Sequence, residues 1–194
     1  MNDPYNPPVA PTLYIATDAL AYMVELIRSS RGEVNGFGLI SPTTGGHILA
    51  SPDDVIITDQ VVKPGAADAA MGDVVKAFDD AALLDRDQEF HLQWHSHPGE
   101  AYFSSTDMAN VSNFGCCGAI WVASMVFARD GSFVARYDQY SPVRLGGPMP
   151  WQIFSSRADL RRRAVAQVAQ HVRLAPPDRK AGTRRRSGAL ARQS

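Results

Sequence analysis

The sequence predicts an α/β protein, an α/β/α sandwich in which helices flank a mixed sheet, and three observations predict it. Runs with the period of a strand, clearest at residues 89–97, alternate along the chain with runs at helical spacing, at 19–30 and 67–84. An apolar run at 115–128 and a second at 132–137 meet through Arg129-Asp130-Gly131, the composition of a tight turn between antiparallel strands. A length of 194 residues, 45% apolar and 20% charged, suits one ordinary globular domain with a core of useful size.

Each element has its own reason. Pro4, Pro7, Pro8 and Pro11 make residues 1–11 a flexible, extended leader, because proline withdraws backbone donors and disfavours helix before it. Structure is expected from Thr12, with a domain over 12–150. Leu13, Tyr14 and Ile15 read as a short strand, and Asp18 then N-caps a helix over 19–30 whose Leu20, Met23, Val24 and Ile27 share a face. Residues 33–40 read as a buried strand opened by Glu33, with Gly36 and Gly38 marking a close approach. Ser41 to Gly46 is a turn by composition, and 47–50 with 55–62 read as a hairpin broken at Ser51-Pro52-Asp53-Asp54.

The alanine-rich helix over 67–84 turns Met71, Val74, Val75, Phe78 and Ala82 toward the sheet. In 89–97, Phe90, Leu92 and Trp94 point one way, with Trp94 in the core, and His91, Gln93, His95 and His97 point the other. A short helix opens at Ser104-Ser105-Thr106-Asp107 and runs to about Asn113, with an acid in its first turn as the helix dipole favours. A C-terminal helix is expected over 155–172, within a unit spanning 151–175, stopped by Pro176-Pro177. A basic, disordered tail follows over 176–194.

Composition removes several function classes. The longest apolar stretch, 115–128, is about half the roughly 20 residues of a membrane span, so no membrane partner is expected. No basic segment followed by an apolar one opens the chain, which reads as cytoplasmic. Cys116 and Cys117 are adjacent, a placement that strains any disulfide between them, and they read as reduced thiols at the start of an apolar strand. The net charge of -1 hides an asymmetry: residues 1–172 carry 12 Lys/Arg against 19 Asp/Glu, and 173–194 carry 7 against 1. The tail reads as a solvated end rather than a nucleic-acid surface.

The chemistry lies in Trp94-His95-Ser96-His97-Pro98. Histidines two apart on a strand project to one side, about 6 to 7 Å apart along the chain, so their rings can converge on one ion. Two imidazoles and the Asp107 carboxylate form a common zinc donor set, leaving a fourth position for water. One catalytic Zn²⁺ is therefore the expected cofactor. A carboxylate beside it takes a proton from the water and returns it to a leaving amine, and Glu33 is the candidate. Ser104, at the rim, has a hydroxyl that could donate to an oxyanion. His91 and Gln93 share the ligand face and read as partly exposed polar positions.

These residues resemble the JAMM motif of the MPN (JAB) metalloprotease family, prokaryotic or phage type: a glutamate far upstream, then His-x-His-Pro, then Ser-x-x-Asp. Here they are Glu33 within Glu33-Val34-Asn35-Gly36-Phe37-Gly38-Leu39, His95-Ser96-His97-Pro98, and Ser104-Ser105-Thr106-Asp107. The resemblance covers the order of elements from about Thr12 to Tyr137. It implies the MPN (cytidine-deaminase-like) fold, zinc held by His95, His97 and Asp107, Glu33 as general base and Ser104 as oxyanion residue. It further implies cleavage of isopeptide or peptide bonds at the C-terminus of a ubiquitin-like or sulfur-carrier-like protein, whose tail is expected to lie beside the Glu33 strand by strand addition. The loop from Gly99 to Phe103 is one residue shorter than the family pattern. Reading Ser105 as the serine would restore that length but leave Ser-x-Asp, so Ser104 is kept. A non-catalytic MPN scaffold module is the alternative, against which the complete ligand set argues. A zinc nucleobase deaminase would call for Pro-Cys-x-x-Cys, a spacing that Cys116-Cys117 does not provide.

Overall fold

The computed structural model describes residues 10–63, 66–69, 71–116, 118–154 and 161–174. Most of the expected leader, the segment 155–160, Cys117 and the basic tail lie outside the described residues.

Strand β1 (Thr12–Ala16) passes directly into helix α1 (Thr17–Ser29), and β2 (Asn35–Leu39), β3 (Ser41–Thr43) and β4 (Gly46–Leu49) follow. After a 3-10 turn at Pro52–Asp54 come β5 (Val55–Ile56), β6 (Gln60–Lys63), β7 (Ala66–Ala69) and helix α2 (Met71–Ala82). A second 3-10 turn, Asp87–Glu89, leads into β8 (Phe90–Ser96), α3 (Ser105–Cys116), β9 (Trp121–Phe127) and β10 (Phe133–Gln139). Then come β11 (Leu145–Pro148), β12 (Trp151–Phe154), α4 (Arg161–His171) and β13 (Val172–Leu174).

The described chain is mixed α/β, with three sheets and four helices. The largest sheet runs β11-β10-β9-β8-β2-β5, with β8 and β9 parallel and the other pairs antiparallel. Its parallel pair is joined through α3, the long crossover such a pair needs. Where one sheet was expected, β12-β1-β4-β3 and β13-β6-β7 form two more, because β8 and β5 already occupy the two edges of β2. The core lies between the large sheet and α1. Leu92, Trp94, Met125 and Phe127 meet Met23, Leu26 and Ile27, all at 2% exposure or less.

Several expectations are corrected by tertiary contacts. Ala16, not Asp18, is the N-cap of α1; the Thr17 hydroxyl donates to the Phe154 carbonyl and tethers the helix start, leaving Asp18 buried in the first turn with its Oδ1 accepting from Ala19 N–H. The hairpin is β3–β4, turning at Gly45 with φ +80, while β4 and β5 belong to different sheets. Ala66–Ala69 is a strand paired with β6, so pairing overrides alanine's helix propensity and α2 starts only at Met71. Its inward face carries Val74, Ala77 and Ala81, and Phe78, though partly exposed, packs edge-on to Phe90 of β8, whereas Val75 is exposed. Helix α3 continues through Gly115 and Cys116, where a strand was expected, because β10 ends opposite Trp121 and leaves the earlier residues no ladder partner. The glycine- and proline-bearing β11 is a sheet edge where pattern reading sees only turn residues, and β12, which was expected to belong to the C-terminal unit, is an edge strand paired with β1. Near the end of the described residues, Val172 belongs to β13 rather than to the helix, beside Gln60 of β6.

Candidate metal centre

β8 alternates as its pattern predicts: Leu92 and Trp94 are buried, while His91, Gln93 and His95 sit half-buried on the other face. His97 lies just past the strand end, where its N–H donates to the Phe127 carbonyl at 2.8 Å. Between the histidines, Ser96 turns inward at 1% exposure. Its Oγ accepts from Val34 N–H at 3.0 Å, and its own N–H donates to the Val34 carbonyl at 2.9 Å. That double bond fastens the residue after Glu33 to the histidine strand. Asn35 stands opposite His95, and extending the antiparallel register two residues sets Glu33 across from His97.

Asp107 arrives from the first turn of α3. The Ser104 carbonyl accepts from Met108 N–H at 3.0 Å, which makes Ser104 the N-cap. Ser104 Oγ accepts from Asp107 N–H at 3.2 Å and Asp107 Oδ2 accepts from Ser104 N–H at 2.7 Å, a reciprocal capping box. The other carboxylate oxygen, Oδ1, is 3.1 Å from His95 Nε2. His97 Nε2 is 3.4 Å from Asp107 Oδ2 and 3.1 Å from His95 Nε2. One ligand atom from each of the three residues, all within 4.8 Å of one another, makes a group close enough to hold a single metal ion.

The electrostatics suit a cation. Burial lowers the His95 imidazole, with Asp107 opposing and His97 assisting, and so favours the neutral ring that a metal takes. Burial works against ionisation of Asp107, but hydrogen bonds from Ser104 and the two imidazoles outweigh it and hold the carboxyl below its ordinary range. Burial pushes the Glu33 carboxyl up, His97 draws it down and Asp107 pushes it up again. Glu33 thus shares one electrostatic neighbourhood with two of the donors.

The chain matches no protein-family model and no curated protein.

The structure brings Glu33, His95, His97, Ser104 and Asp107 together from three separate segments. It keeps His91 and Gln93 out: His91 stacks on Trp121 and its Nδ1 lies 3.0 Å from the Trp121 carbonyl, while Gln93 donates to Ser124. Three contributors escaped the sequence reading. Ser96 was legible in principle, since the strand period turns it inward beside Trp94 and a buried hydroxyl needs a partner. Tyr102 packs its ring edge-on to His97 with centroids 5.0 Å apart. Gln60 exchanges two bonds of 2.9 Å with the N–H and carbonyl of Asn35. That last pair closes the edge of β2 where strand addition was expected, because a substrate tail there would have to displace the Gln60 amide. No helix among the described residues is long and apolar enough to cross a membrane.

Proposed function

We propose that the protein is a zinc-dependent hydrolase of amide bonds, of the JAMM type that its motif resembles. Its substrate is then the C-terminal region of a ubiquitin-like or sulfur-carrier-like protein. The observation that carries the reading is the Ser96–Val34 clamp, which sets Glu33 beside a two-histidine, one-aspartate donor set from 62 residues away. Donors about 2.0–2.1 Å from a tetrahedral zinc stand about 3.3–3.4 Å apart. The imidazole nitrogens here stand 3.1 Å apart, and each lies 3.1 or 3.4 Å from one oxygen of the Asp107 carboxylate, Oδ1 for His95 and Oδ2 for His97, a spacing of that order.

Bound there, zinc would polarise a carbonyl and bring water's pKa toward about 7. The chain's own residues supply the rest. His95 and His97 would hold the ion through ring nitrogens, and Asp107 through a carboxylate that Ser104 helps to keep ionised. Glu33, its carboxyl raised by burial, accepts the proton of the attacking water and passes it to the leaving amine. Ser104, anchored by the capping box, stands at the rim where a carbonyl oxygen gathers charge.

Glu33→Gln tests this directly. With zinc content measured alongside hydrolysis of ubiquitin-like fusions, the variant should keep its metal and lose about 10²- to 10⁴-fold in turnover. Equal turnover by variant and native chain would sink the assignment. A native chain that binds zinc and cleaves none of the fusions would point instead to a scaffold role.

A further inference from the structure

Beside the donor set lies a cavity of about 400 Å³, within the range of small-ligand pockets. Its walls include Tyr102, Val134, Met149 and Trp151. We propose that this cavity is a specificity subsite that receives a large apolar side chain, aromatic or leucine-sized, lying within about three residues of the amide bond that is cut. The inference rests on the amide-hydrolase reading above and deepens it by naming a feature of the substrate.

Sheet register supplies the distance. His95 pairs with Val126 on β9, and Val126 pairs with Val134 on β10, so the three side chains stand in a row on one face. Two strand spacings of about 4.8 Å put Val134 about 10 Å from His95. An extended peptide advances about 3.3 Å per residue, so three residues span the gap. Tyr102 joins the two places physically, since one face of its environment is the His97 ring and another is the cavity.

Chemistry selects the occupant. Tyr102 is 55% exposed, Val134 36% and Trp151 43%, apolar surface left to water beside a buried Met149 at 3%. Such a patch next to a reactive centre marks a binding surface. Arg136, the charged residue in the lining, spends its guanidinium on two bonds of 2.7 Å to Asp138, so it offers an acidic group no unpaired charge. On the opposite side of the donor set the Gln60 amide covers the edge of β2, whereas Tyr102, between the His97 ring and the cavity, keeps much of its surface exposed.

The test uses hexapeptides with phenylalanine or alanine at each position within three residues of a central amide bond. Their binding to zinc-loaded Glu33→Gln chain is followed by calorimetry and by tryptophan fluorescence, to which Trp151 contributes. Phenylalanine peptides should bind about tenfold tighter than their alanine counterparts at one position, a usual margin for an apolar pocket. Adding Val134→Asp should abolish the preference, while adding Val75→Asp, on α2, should leave it. Trp151→Ala provides the same comparison if Val134→Asp does not fold. Equal binding of both peptides, no binding of either, or a preference that survives both cavity substitutions overturns the subsite. Cleavage by the native chain without apolar preference keeps the hydrolase and removes the subsite. A preference in binding without cleavage by the native chain removes the hydrolase and keeps a peptide-binding cavity.

Discussion

Between His95 of β8 and His97 just beyond it stands a serine that points the other way. Ser96 is buried, and its hydroxyl is the acceptor for the Val34 N–H, one residue from the proposed base. Ser96→Ala would strand that N–H, at a cost of about 1–3 kcal/mol read by denaturant unfolding. It should also lower turnover by loosening Glu33 while the zinc content, set by His95, His97 and Asp107, stays at the native level. A variant equally stable and equally active would show that the clamp positions nothing. Ser104 and Asp107 work at the same scale. Each satisfies the other's backbone N–H, so one short motif starts a helix and aims a carboxylate at two histidines.

Among the elements, β2 is closely approached from both sides. A Cβ added at Gly36 would fall 2.6 Å from Trp94 Cζ2 and closer still to the Ile56 carbonyl oxygen. The close approach expected of this glycine-bearing strand is therefore made by a core indole on one side and β5 on the other. Gly36→Ala should cost about 1–3 kcal/mol through overpacking, seen as a lowered melting temperature. A variant that melts with the native chain would mean that Trp94 and β5 yield freely. The shift of β2 against β8 at Gly38/Leu39 falls outside the span from Asn35 to Gly38 that aligns the site.

On the scale of the whole molecule, two sheets meet at one indole. His47 of β4 and His91 of β8 lie against the Trp121 ring, with centroids 4.3 and 4.0 Å away. Burial lowers both histidines; at His47 the neighbouring His91 lowers it further, and at His91 a bond to the Trp121 carbonyl partly opposes. The unfolded chain, with its histidines near 6.5, takes up protons more readily than the folded one. Stability from this contact is therefore present above about pH 6.5 and is lost as the pH falls through the lowered folded values. Thermal melts from pH 7.5 to 5 should fall steadily for the native chain and less steeply for His47→Gln and His91→Gln. His95, lowered in the same direction, adds to the fall and is retained in both variants. Slopes unchanged by either substitution would remove the two-sheet contact as the cause.

What the sequence by itself determined is local and follows from chain geometry. Residues two apart on a strand share a face, so His95 and His97 had to project together, and a serine three before an aspartate at a helix start could cap it and hold it. The tight turn at Gly131, with φ +96, was legible for the same reason. Only the tertiary structure decided which distant edges pair. It seated Asn35 opposite His95 and so carried Glu33 to the donors, made a strand of Ala66–Ala69, divided the strands among three sheets, and filled the outer edge of β2 with Gln60. Backbone spacing is written residue by residue, whereas pairing depends on which edge is left free once the core has closed, and no short stretch of sequence holds that information.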